Sequence, residues 1–259
     1  MISITPEYFA RYTRRQAAFF HLCVSAVVAA TIFAVMLLLW YPSPWFGAAG
    51  GGTLLFLLIG VDVILGPLLT FIVYDPLKKS LVYDLAVIVM LQVAALIYGI
   101  NVMAQARPAF VVYFRGAFEV VGAKDVMTEG MADAKLAEFQ SVPWTGPRLA
   151  AARLPSDPGV QLQIAMESGV GGPDFTVYPR FYIPYSTASR DAAAGGTPLA
   201  VYAKLSPDKA EAVAKLLASS GRTADELVSL PLRTRTVEMT IVLDKAKGDV
   251  VDVLALSPR

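Results

Sequence analysis

The chain has 259 residues, a formal net charge of +1 and a mean hydropathy of +0.55, with 56% hydrophobic and only 17% charged residues. That balance describes a small membrane protein and argues against a nucleic-acid partner, which needs a basic surface. The single cysteine, Cys23, excludes an internal disulfide.

Residues 1–16 read as a cytoplasmic segment, partly an amphipathic interfacial helix through Tyr8, Phe9 and Tyr12. Residues 17–106 read as a transmembrane domain of three helices. No charge occurs between Arg15 and Tyr41, Asp62 is the only one between Ala48 and Tyr74, and 22 uncharged residues separate Asp84 from Arg107. Each run meets the roughly 20 residues that cross a hydrocarbon core, giving spans over 17–41, 52–74 and 83–106. The first is too long for a signal peptide, whose apolar region runs about 7–15 residues. The loop after it is rich in proline and aromatics, which suits an interfacial turn with Trp40 and Trp45 near the headgroups. Arg11, Arg14, Arg15, Lys78 and Lys79 place the N-terminus and second loop in the cytoplasm by the positive-inside rule. Three crossings then leave residues 107–259 on the far side, the periplasm of a bacterium with two membranes.

That outer part is balanced, with 17 Lys+Arg against 17 Asp+Glu, and is large enough to fold on its own core. Val-, Phe- and Tyr-rich 109–121 reads as strand, and 125–140 has helical spacing through Met127, Met131, Ala134 and Phe139. Proline-rich 142–172 reads as loop with one short strand near 161–166. Residues 176–185, with Pro179 and Pro184, read as an edge strand or extended segment. Ser206-Pro207-Asp208 starts a helix that Gly221 stops. Residues 223–229 suggest a short helix, and 237–243 with 249–256 a closing hairpin. The fold expected is three transmembrane helices followed by an α+β periplasmic domain with an antiparallel sheet.

Asp62 is the residue that most needs a reason, because a carboxylate at bilayer depth is costly and is retained with a partner or a task. It lies about 15 Å below the outer end of its span at roughly 1.5 Å per residue, level with Gln92 and Thr31. A hydrogen bond to either would serve packing; a polar contact to a partner's membrane helix is the functional alternative. A proton relay is disfavoured without a second intramembrane acid. Gly60, Gly66 and Pro67 would allow close helix approach or a break. His21, the only histidine, reads as interfacial, and Asp75, Lys78, Lys79 and Asp84 as loop salt bridges. The outer domain has neither His nor Cys, so the usual base and thiol nucleophile are missing, and no catalytic, cofactor or metal residue is expected. Tyr178, Phe181, Tyr182 and Tyr185 are either core or an edge where a partner strand adds.

Several stretches carry a resemblance: Trp40-Tyr41-Pro42-x-Pro44, Gly60-Val61-Asp62-x-x-Leu65-Gly66-Pro67-Leu68-Leu69-Thr70, Asp84-Leu85-Ala86-Val87-Ile88 and Ala106-Arg107-Pro108. These resemble the type IV pilin accessory proteins of the TfpX/TfpZ type, over the membrane half and the start of the outer domain as far as Asp125. The resemblance implies a non-enzymatic inner-membrane factor that helps a type IV major pilin reach the fibre or tunes pilus dynamics. Its expected partners are that pilin, inner-membrane assembly proteins and the bilayer, with no small-molecule substrate. A membrane-anchored scaffold unrelated to pili is the alternative.

Overall fold

A capping box opens the first long element: Gln16 N–H donates to Thr13 Oγ1 at 3.3 Å, and Thr13 N–H donates to Gln16 Oε1 at 2.9 Å. Helix α1 (Arg14–Val35) follows and widens into a π-helical turn, Met36–Trp40. The computed structural model describes residues 12–43, 45–48, 52, 59–234 and 238–258. It divides into a helical unit, Met1–Leu38 with Gly51–Ala104, and an outer unit, Leu39–Gly50 with Gln105–Arg259.

Among the described residues two helices are long and apolar enough to cross a membrane, Arg14–Trp40 and Leu81–Ala106 (called α3 below), against the three expected. The expected middle span includes 53–58, which lie outside the described residues, and Asp62–Val73 forms a shorter apolar helix. The expected interfacial helix through Tyr8 and Phe9 also lies outside them. The short helix has a π-helical first part, Gly60–Leu65, and an α-helical second part, α2 (Gly66–Val73), with Pro67 in its first turn. Proline lacks the N–H an α-helix needs there and crowds the carbonyl of Val63, so the ladder widens at this point. Helix α2 packs against α1. Lys78 Nζ meets Asp84 Oδ2 at 2.6 Å, as the reading of that loop as ion-paired anticipated, and Arg14 Nη2 lies 3.8 Å from Asp75 Oδ2.

The outer unit is built on an eight-stranded sheet: β1 (Pro108–Phe114), β2 (Ala117–Gly122), β3 (Arg148–Ala152), β4 (Tyr182–Pro184), β5 (Thr197–Pro198), β6 (Leu227–Arg233), β7 (Glu238–Asp244) and β8 (Val250–Leu254). The order is β4-β3-β1-β2-β6-β7-β8, with β5 beside β6. The sheet is mixed, which corrects the antiparallel expectation: β1 runs parallel to β3, and β2 parallel to β6. Local alternation does not encode the direction of a distant partner. The first five residues of β1 are all buried, because both faces of the sheet are covered. One face packs Phe118, Leu230 and Ile241; the other packs Phe110, Phe139 and Tyr182.

Several local expectations are corrected. Residues 125–140 form two 3-10 turns, Met131–Asp133 and Ala137–Phe139, because Gly130 turns left-handed at φ +66 and Met127 N–H donates to Val177 O at 2.8 Å. Residues 161–166 lie in helix α4 (Pro158–Gly169), capped by Asp157, whose Oδ1 accepts from Gly159 N–H at 2.8 Å. Leu162, Ile164 and Met166 alternate as a strand would, yet only Ile164 is buried. Residues 223–229 hold a single 3-10 turn, Ala224–Glu226, before β6. A short helix, α5 (Ser189–Ala194), was not anticipated. Helix α6 (Pro207–Ser220) follows its signals: Ser206 Oγ accepts from Lys209 N–H at 3.3 Å, and Gly221 ends it at φ +65.

Candidate functional site

The helical unit holds a half-open, mostly apolar cavity of ≈ 540 Å³ lined by α1, the broken helix and α3. Its wall is mostly aliphatic and aromatic, with Phe20, Val24, Val28, Val89, Val93 and Leu96 among the lining residues. Polar side chains interrupt it: His21 and Ser25 from α1, Asp62 and Thr70 from either side of the Pro67 break, and Gln92 from α3, with Tyr12 and Tyr74 also in the lining. The π turn gives each residue a smaller rotation than an α turn does, and Asp62 and Thr70 both end up buried, at 8% and 3% exposure.

The polar groups are not equally satisfied. His21 Nδ1 and Thr70 Oγ1 lie 2.6 Å apart. The Gln92 side-chain amide donates to the backbone oxygen of Asp62 at 3.2 Å, which satisfies a carbonyl that the broken ladder leaves free. The Asp62 side chain gains nothing from that bond, and Oδ1 is buried without a hydrogen-bond partner among the described residues. Leaving a buried polar atom unpaired costs about 1–3 kcal/mol, more for a charged group.

Each expected contact can now be placed. Gln92 reaches the Asp62 main chain, not the carboxylate. Thr31 does not reach it either: its hydroxyl donates to Val27 O at 2.8 Å within α1. A Cβ at Gly66 would overlap the Gln92 amide, so the glycine leaves the room in which that flexible side chain reaches the Asp62 main chain. A Cβ at Gly60 would meet no atom of the described residues within 4 Å. Pro67 is buried and sits at the break. His21 and Thr70 were missed as a pair; a threonine eight residues after Asp62 carries no local signal that it meets a histidine on another helix.

The outer-domain aromatics are core. Tyr178, Tyr182 and Tyr185 are buried, and Phe181 is half-buried. Tyr182 stacks edge-on with Phe110 and Phe139 at 5.1 and 5.5 Å. The Tyr185 hydroxyl donates to Gly248 O at 2.6 Å. Arg180 lies over the rings of Tyr178 and Phe181 at 5.2 and 4.8 Å. Among the described residues no group of His, Cys, Asp and Glu has an arrangement that could hold a metal ion.

Comparison with known proteins places these features in context. A family model described as fimbrial assembly protein FimB matches residues 10–50. The fimbrial assembly proteins of Dichelobacter nodosus serogroups I and E1 are each 31% identical over 229 residues, covering 87% of this chain and 88% of theirs. The corresponding protein of serogroups C1 and C2 is 34% identical over 116 residues, which is 44% of this chain and 88% of its own. No solved structure matches.

Proposed function

The chain belongs to the fimbrial assembly proteins, a type IV pilus accessory family, and on that premise we propose that it is a non-enzymatic membrane factor that receives a type IV major pilin before or during assembly. It is anchored in the bacterial inner membrane by three crossings, the described Arg14–Trp40 and Leu81–Ala106 and a third through the broken helix, with the outer unit in the periplasm. The apolar N-terminal helix of a waiting pilin lies along the cavity of the helical unit, and Asp62 offers it one polar contact. The outer unit meets the pilin head or the assembly machine.

The single observation that carries this reading is Asp62 Oδ1, buried in a mostly apolar wall without a hydrogen-bond partner among the described residues. A group used only for packing would be hydrogen-bonded within the fold. The test compares surface pili with total pilin in a deletion strain complemented by wild type or by Asp62→Ala. Asp62→Ala lowers surface pili several-fold with this protein and the pilin pool at normal abundance. If abundance falls in step with piliation, Asp62 is structural; if deletion leaves pili untouched, the pilin is not its client.

A further inference from the structure

The loop around Trp144 joins the outer ends of both long apolar helices. Trp40 is the last residue of the first helix and Arg107 follows the last residue of α3. The Gly146 N–H donates to Leu39 O at 2.6 Å, filling one of the carbonyls a helix leaves free at its C-terminus. The Arg107 guanidinium donates through Nη2 to Pro143 O at 3.2 Å and lies 5.0 Å from the centre of the Trp144 ring. Trp144 and Trp40 meet edge to face at 5.7 Å. Gly146 has φ +40, a conformation that favours glycine, and a Cβ there would press on Pro42 Cγ at 3.3 Å.

The sequence places Trp40 and Trp45 at the headgroups, but the exposure lies elsewhere. Trp40 is buried at 7% and Trp45 is half-buried against the outer core, while Trp144 is 63% exposed. An indole on the surface, stacked on a buried tryptophan at the end of an apolar helix and backed by a cation, has the chemistry of an interfacial anchor: an apolar ring with one N–H donor. We propose that Trp144 inserts into the headgroup–acyl boundary of the bilayer and fixes this loop of the outer unit to the membrane surface. This rests on the membrane reading given above. Continuity argues for lipid as the occupant, since exposed Trp144 packs on Trp40 and Arg107, the residues at which both apolar helices end.

The experiment is depth-dependent fluorescence quenching of the full chain in phospholipid vesicles. Trp40→Phe with Trp45→Phe leaves Trp144 as the sole indole; should that variant not accumulate, the difference between wild type and Trp144→Phe gives the same signal. Lipids brominated near the headgroup end of the chain should quench Trp144 several-fold more than lipids brominated near the chain terminus, and aqueous iodide should quench it weakly. Strong iodide quenching without lipid quenching, in protein that floats with the vesicles, overturns the proposal while leaving the membrane reading intact. Shielding that grows with protein density at fixed lipid composition also overturns it, in favour of a second copy. Protein that does not float with vesicles overturns both.

Discussion

Asp62 and Glu119 are both carboxylates set among apolar side chains, and they differ in what faces them. Glu119 Oε2 accepts a hydrogen bond from the Thr176 hydroxyl at 2.7 Å. Burial pushes its pKa above the usual glutamate value, and the Thr176 bond only partly opposes that. A raised folded pKa contributes stability that is complete below the unfolded value and is lost as pH rises through the folded one. Glu119→Gln removes that loss. The purified variant should match wild type in melting temperature below about pH 4 and exceed it at neutral pH; equal melting curves at both would contradict this. Residue identity made Asp62 conspicuous from the sequence, because charge in an apolar run is a local signal. Glu119 was not conspicuous, because its burial comes from β1, β6 and the 175–177 turn, which lie far away in the chain.

At the scale of elements, the Pro67 break positions the cavity wall. Pro67→Ala restores an N–H and lets 60–65 rewind as regular α-helix, which rotates Asp62 relative to Thr70. Surface pili in that variant should fall to the level of Asp62→Ala with the protein still present; unchanged piliation would show that the π turn does not matter. Elements with terminal chemistry were legible: α6 carries its Ser206 cap, Pro207 and Gly221 in the sequence itself. Elements defined only by apolar spacing were not. Val126, Met131, Ala134 and Phe139 all reach the core, but through turns and not a helix. Strand β6 was read partly as helix, and it contains Pro231. That proline is tolerated because β5 pairs only with Val228 and Ser229, and β2 only with Leu232 and Arg233, leaving Pro231 in a gap where no ladder donor is needed on that side.

For the whole molecule, the number of crossings decides where the outer unit works. With the proposed three, alkaline phosphatase fused to the C-terminus is active and a fluorescent protein fused there, exported unfolded, stays dark. Active fluorescent protein with inactive phosphatase would mean two crossings and a cytoplasmic outer unit. The uncharged runs announced two long apolar helices, and the strand-rich second half announced a sheet. The parallel pairings β1–β3 and β2–β6 were not legible, because they depend on which distant strand fills each edge of the β1–β2 hairpin.

The two borders of that sheet have a consequence for selectivity. On one side β4 offers three residues ending in Pro184. On the other, β8 carries Asp252, whose Oδ1 accepts from the Val253 N–H at 2.7 Å and so occupies a main-chain donor. Neither border presents a long open ladder for a client to extend. Strand borrowing draws its affinity from main-chain groups and its specificity from pockets for alternate side chains. In the proposed role, such short borders leave side-chain surfaces to carry most of the contact with a pilin, and those surfaces are what differ between one pilin and another.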